Sequence, residues 1–182
     1  VSCDFKAFYH SVLIPSCDRD FYRFFWIKGD DLDSAPIIYR LIIHLFGGNS
    51  SQACVIHALL TAIESAVKEK RISREVADRL IRSLYSDDVF GSFDTAAEAI
   101  HSLLPSREVL AESSFHLVKF TSSNSDVLAQ IPPEYILPAI QDLDLTNKVT
   151  SALGIIWKLD SDEFLLNLDL PPLKIGSFTK KE

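Results

Sequence analysis

The sequence has no methionine, only six glycines, and three cysteines, Cys3, Cys17 and Cys54, that are odd in number and far apart. Three unpatterned cysteines argue against a disulfide framework and a zinc-ligand spacing; they read as reduced thiols of an intracellular protein. No apolar run reaches the length of a membrane span, since the longest, Ile37 to Phe46, is interrupted by Arg40 and His44. No secretory signal is visible, so no membrane partner is expected. Basic charge is also scarce: 18 Lys and Arg stand against 25 Asp and Glu, for a net charge of −7. That sign is wrong for a protein that neutralises phosphates over its whole surface. It still allows a catalytic module that is acidic at a metal site and draws basic surface from neighbouring segments. The missing methionine, with Val1 inside a strand-like apolar segment, reads as a piece of a longer chain.

What is present suits one globular domain: 182 residues, 47% of them hydrophobic and 24% charged. A strand carrying Asp4 opens the chain. Phe21 to Lys28 follows as a second strand, aromatic on both faces and therefore expected to lie in the interior with a partner on each side. Ile37 to Phe46 is a third strand, making a hairpin with the second across the polar turn 29–34. After the loop Gly47 to Ser51, a helix is expected from Gln52 to Lys70, with Ala53, Ile56, Leu60, Ile63 and Val67 on its apolar stripe. Ser73 is placed to cap a short helix from Arg74. Thr95 and Glu98 form a capping box for a helix to Glu112, expected to break near Pro105. Phe115 to Phe120 is a strand, and Ser125 caps another short helix. Ala152 to Leu159 and Phe164 to Leu168 form a last hairpin. Strand pairs alternating with helices predict an α+β fold, an antiparallel sheet with helices packed on one face. The main domain is expected over 1–170, with 171–182 a polar tail.

Between the apolar runs Ile81 to Tyr85 and Val89 to Phe93 stand Ser86, Asp87 and Asp88. The stretch reads as a tight hairpin with acids at its tip, without the Asn or Gly that relax such turns. Adjacent carboxylates repel, and a divalent cation is a simple remedy. If the first strand lies beside this hairpin, Asp4 joins Asp87 and Asp88. Three carboxylates on adjacent strands can hold two Mg²⁺ ions about 3.5–4 Å apart, as in-line phosphoryl transfer requires. Taken singly, Asp4 reads as a strand-end acid, Tyr9 as a core aromatic and Lys119 as a solvated strand lysine. The five histidines show no ligand spacing. A phosphohydrolase with an aspartate nucleophile is disfavoured, because Asp4-Phe5-Lys6 lacks the Asp-x-Asp spacing.

Taken in order, the blocks resemble the palm of a reverse transcriptase, and more narrowly that of BEL/Pao long-terminal-repeat retrotransposons. Asp4-Phe5-Lys6-Ala7-Phe8-Tyr9, with Ile14-Pro15 and Arg23-Phe24-Phe25-Trp26, resembles the first catalytic block of that group. Phe46-Gly47 with Asn49-Ser50-Ser51 resembles the second, Tyr85-Ser86-Asp87-Asp88 the third, and Phe115 to Phe120 with Ser123-Asn124 the fourth. Leu153-Gly154-Ile155-Ile156-Trp157, then Asp162 to Phe164 and Thr179-Lys180, resembles the stretch that follows. Three positions depart from the pattern: Gln52 stands where Pro is usual, and Ser113-Ser114 where two glycines are. One extra residue falls between Lys119 and Asn124.

The resemblance implies an RNA-directed DNA polymerase of polymerase-palm-like α+β fold. Its metal ligands would be Asp4, Asp87 and Asp88, holding two Mg²⁺ (Mn²⁺ as substitute). Tyr9 would lie under the sugar of the incoming nucleotide and exclude a 2′-hydroxyl by clash. Phe46 and Gly47 would flank that nucleotide, Gly47 allowing close backbone approach. Tyr85 would sit near the primer end. Lys119 matches a lysine that protonates the leaving pyrophosphate, a role that needs its pKa drawn down toward neutrality. Partners would be an RNA or DNA template-primer, deoxynucleoside triphosphates, and the fingers, thumb and RNase H of the same polyprotein. The setting implied is a cytoplasmic virus-like particle. A degenerate palm serving only as an interaction surface is the alternative, and this piece alone is expected to polymerise little.

Overall fold

Strand β1, Ser2–Phe5, alternates half-buried and buried residues, with Cys3 and Phe5 facing inward and Ser2 and Asp4 facing out. It is a central strand of the principal sheet in the computed structural model, which describes residues 1–29, 33–152 and 155–166. Strands β4 (Leu84–Tyr85), β5 (Asp88–Phe90) and β6 (Leu117–Thr121) complete that sheet in the order β4-β5-β1-β6. All its pairings are antiparallel. Its inner face, carrying Cys3, Phe5, Val89, Leu117 and Phe120, is covered by helices α1 (Ser51–Lys68), α2 (Arg74–Ser83) and α3 (Ala96–Glu112). One contiguous core runs from Cys3 to Leu159. The expected α+β class, an antiparallel sheet with helices on one side, is what the chain adopts.

Local signals placed several elements correctly. The Ser73 hydroxyl accepts from the Val76 N–H and starts α2; Thr95 accepts from Glu98 N–H and starts α3. The Glu98 carboxylate reaches back to the Asp94 N–H, one residue earlier than an ideal box would have it. Asn124, rather than Ser125, caps α4 (Ser125–Leu128), its Oδ1 accepting from Asp126 N–H at 2.8 Å.

Tertiary packing overruled other expectations. The buried stripe of α1 is Ser51, Val55, Leu59, Ile63 and Ala66, while Ala53 is exposed and Ile56, Leu60 and Val67 are half-buried. Apolar residues cover so much of this helix that periodicity leaves its rotation loose; packing against α2 and α3 decides it. Helix α3 continues through Pro105 without a break. His101, whose carbonyl loses the proline's missing N–H, is exposed, so that orphan acceptor lies on the solvent side. A short strand β7 (Val149–Ala152), not expected, adds to the last hairpin of β8 (Ile155–Lys158) and β9 (Glu163–Leu165). Trp157 stacks on Phe164 there and donates its indole N–H to Asp162 at 2.9 Å. Leu153, Gly154, Thr179 and Lys180, the end of the expected last strand at Leu168, and the tail 171–182 lie outside the described residues, as does 30–32 of the early turn.

The clearest correction concerns the aromatic strand. Among the described residues β2 (Arg23–Trp26) pairs only with β3 (Ile37–Arg40), in a separate two-stranded ribbon, and every residue of both strands is exposed. Phe21 and Tyr22 belong to a 3₁₀ turn before it. Beyond Arg40 the expected third strand gives way to single contacts with 12–14, including Ile14 N–H to Ile42 O at 2.8 Å. An apolar pattern on both faces signals appetite for partners; it does not supply them.

Candidate active site

The geometry at Asp4 follows from ladder parity. Val1 and Gly91 exchange both backbone hydrogen bonds, at 2.8 and 2.9 Å, and four residues on Phe5 N–H donates to Asp87 O at 2.8 Å. Hydrogen-bonded pairs alternate with non-bonded ones in an antiparallel ladder, so Cys3 and Val89 form a bonded pair. Asp4 and Asp88, in direct register, therefore occupy a non-bonded pair, where side chains approach most closely. Tyr85 is in register with Asp88, and Val118 with Asp4. The outer face thus carries the row Tyr85, Asp88, Asp4, Val118 across the strands. Asp87 occupies the turn beside it, next to Ser86, whose φ of +57° is the left-handed strain expected of this tip.

Lys119 reaches the same face by a bulge. The β1–β6 register slips between Ser2, opposite Thr121, and Asp4, opposite Val118, so Lys119 and Phe120 share the place opposite Cys3. Lys119 has φ +54°. Phe120 consequently turns fully into the core, while Lys119 turns out and places Nζ 2.6 Å from Asp4 Oδ2. Sequence reasoning missed this contact.

Electrostatics on this face are unbalanced. Partial burial, reinforced by the charges of Asp87 and Asp4 and offset by Lys119, pushes the Asp88 carboxyl above its ordinary range. The hydrogen bond that Lys119 donates to Asp4, then the charge of that carboxylate, pushes Lys119 upward. That direction corrects the expectation that Lys119 is drawn toward neutrality: in this structure it is an ammonium held by a carboxylate. Behind them the buried Cys3 thiol is driven far up by desolvation and has no role as a thiolate.

Among the described residues no group of three His, Cys, Asp or Glu side chains is gathered to hold a metal ion. The donor chemistry nevertheless suits a hard divalent cation, since all three groups are carboxylates, two on adjoining strands and one in the turn beside them. The Lys119 ammonium pairs with one of these carboxylates, Asp4.

The remaining expected residues lie on neighbouring segments. Tyr9 is buried in the core cluster, its ring edge-on to Phe46 with centroids 5.6 Å apart. Phe46 is 85% exposed and forms the outward ring of that pair. Gly47 has φ +87°, a backbone conformation that favours glycine, and no protein atom lies within 4 Å of a hypothetical Cβ. At Gly48 a Cβ would collide with the Ser51 hydroxyl. Ser51 is itself buried and 3.3 Å from His44 Nδ1, which gives that buried histidine a structural role. Tyr85 is 60% exposed at the rim of the acidic row. No protein-family model matches the chain, and no curated protein matches it.

Proposed function

We propose that the chain is the palm of an RNA-directed DNA polymerase of the BEL/Pao retrotransposon kind, with Asp4, Asp87 and Asp88 as its metal-binding carboxylates. The observation that carries this reading is the direct register of Asp4 with Asp88, residues far apart in sequence brought onto one sheet face. A second support is Ser114, which stands where the resemblance has glycine. Its φ of +68°, in a helix-ending turn closed by Phe115 N–H to Leu110 O, is a conformation in which glycine is unstrained.

In this reading Asp4 and Asp87 are the direct ligands of two Mg²⁺ ions and Asp88 supports them. The bound ions would activate the primer hydroxyl and offset the charge of the phosphoryl transfer. Phe46 presents its exposed ring to the nucleotide and holds Tyr9 from its outer side. Tyr9 fixes the space available to the sugar, and an added 2′-hydroxyl would clash there. Tyr85 offers an exposed aromatic surface to the primer end beside Asp88. Lys119 carries a proton on Nζ at the edge of the same face and would be the group to give it to the leaving pyrophosphate.

One observation favours the non-catalytic alternative: Asp4 is engaged by Lys119 and the carboxylates are not drawn together. Mn²⁺ titration of the purified chain, followed by electron paramagnetic resonance, separates the two. The palm reading expects binding that is weakened at least tenfold in Asp87→Asn, on the order of the loss of one charged ligand from a shared site. Absence of Mn²⁺ binding at millimolar concentration would leave only the degenerate interaction surface.

A further inference from the structure

Away from the carboxylate row, a cavity of about 430 Å³ lies where the 91–95 loop, the 122–124 loop and the β8–β9 hairpin converge. That volume falls within the range of small-molecule sites. We infer that the cavity binds a small aromatic ammonium compound that also carries a hydrogen-bond acceptor. The inference stands apart from the metal reading. Apolar surface comes first: Ala99 and Val127, both almost fully buried, lie on its wall with the buried Trp157. Phe164 stacks on Trp157 at an interplanar angle of 17°, yet its ring stays 62% exposed, open to a further flat partner. Phe93, also on the wall, already has the Arg79 guanidinium 5.2 Å from its ring centroid, so this ring accepts a cation in the protein itself. That guanidinium is paired with Glu98 and brings no free charge to the cavity.

The polar groups on the wall divide into engaged and available. Thr95 and Asn124 are engaged, since their oxygens cap α3 and α4. Ser122 is only 1% exposed and accepts from Asn124 N–H at 3.1 Å, but among the described residues its hydroxyl proton meets no acceptor. A buried donor is costly to leave unmatched, so this hydroxyl calls for an acceptor from a ligand. Asp162 accepts the Trp157 indole N–H on Oδ1, and among the described residues its Oδ2 and the whole Asp94 carboxylate have no hydrogen-bond donor. No Lys or Arg is among the lining residues, and the Val1 ammonium on the same wall is engaged by the Gly91 carbonyl at 2.8 Å. The start of α3 favours negative charge, and Glu98 in its first turn answers that need. Two carboxylates therefore favour a positive group and repel an anion. A flat apolar body suits the rings, an ammonium suits Asp94 and Asp162, and an oxygen suits Ser122.

Three probes titrated into the whole chain, followed by ligand-observed nuclear magnetic resonance, test this. 5-Hydroxytryptamine has the ring, the ammonium and a hydroxyl oxygen; 5-hydroxyindole-3-acetate reverses the charge; tryptamine lacks the hydroxyl. 5-Hydroxytryptamine should bind about tenfold more tightly than the acetate and several-fold more tightly than tryptamine. Asp162→Asn, which keeps an acceptor for the Trp157 indole, should remove most of the preference for the amine over the acid. Glu134→Gln, a carboxylate outside the cavity, should leave that preference intact, which separates the site from the general pull of a chain with net charge −7. Ser122→Ala should lower 5-hydroxytryptamine to the level of tryptamine and leave tryptamine unchanged. Should Ser122→Ala fail to fold, as circular dichroism would reveal, the two amines on the unaltered chain answer the same question. Absence of saturable binding at millimolar concentration overturns the inference, as does equal binding of amine and acid. So does a preference that survives Asp162→Asn or falls equally in Glu134→Gln. None of these outcomes bears on the metal reading, which the Mn²⁺ titration decides separately.

Discussion

The β4-β5-β1-β6 sheet and the β2-β3 ribbon are built from similar residues and end in opposite circumstances. Phe5 and Phe120 in the sheet are almost completely buried; Phe25 and Trp26 in the ribbon are 72% and 59% exposed. In the sheet one face is apolar and the other polar, so three helices have a definite surface to cover. In the ribbon both faces are apolar, and no helix of the described residues covers either. What holds the ribbon is peripheral: Phe24 stacks on Tyr39, and Asp20 is clamped between Arg23 at 2.9 Å and Arg40 at 3.0 Å. Two-stranded hairpins are marginal without further packing. Apolar content, then, does not predict contribution to stability; the supply of packing partners does.

The largest effect should come from truncating the sheet's buried ring. Phe120→Ala removes a fully buried side chain and leaves a cavity, at a cost of about 3–5 kcal/mol, a large share of a small domain's stability. Urea denaturation would measure it, and a loss below about 1 kcal/mol would mean that the sheet is packed no better than the ribbon.

A smaller effect, opposite in sign between the two regions, concerns acid. Arg40 and Arg23 hold the Asp20 carboxyl below its ordinary value of 3.8, so its stabilisation is present above that value and is lost as pH falls through the lower folded one. Asp88 is raised above 3.8, so it opposes folding at neutral pH and is relieved as pH falls through its folded value. In metal-free buffer at pH 7, Asp88→Asn should therefore stabilise the chain by about 0.5 kcal/mol, whereas Asp20→Asn should destabilise it. Thermal melts at a series of pH values should show the Asp88→Asn gain fading on acidification at higher pH than the Asp20→Asn loss. Effects of the same sign would undo the contrast.

The smallest effect is expected at the ribbon. Phe25→Ser should change stability by no more than about 0.5 kcal/mol, because the ring has little packing to lose. A loss of several times that in urea denaturation would show the ribbon to be packed against something in solution.

Legibility divides along the same line. The α+β class, the helix starts at Ser73 and Thr95, and the acidic hairpin were readable because each depends on neighbours a few residues away. The placement of Asp4 beside Asp88 was readable only as a condition, since register is set by strand order. The α1 rotation, the continuity of α3 through Pro105 and the exposure of β2 were not readable. Each depends on what packs against a segment, and local pattern is silent about that. Lys119 falls between these cases. Taken singly it read as a solvated strand lysine, but a one-residue bulge turned it onto Asp4, whose hydrogen bond and charge raise its pKa.

The sequence by itself determined which segments pair or coil and where three carboxylates stand along the chain, because capping, alternation and turn chemistry act over a few residues. Only the tertiary structure decided that Asp4 faces Asp88, that Lys119 bonds Asp4, and that one aromatic strand stays outside. Those outcomes are set by register and by the availability of packing surfaces, which are properties of the assembled chain rather than of any segment within it.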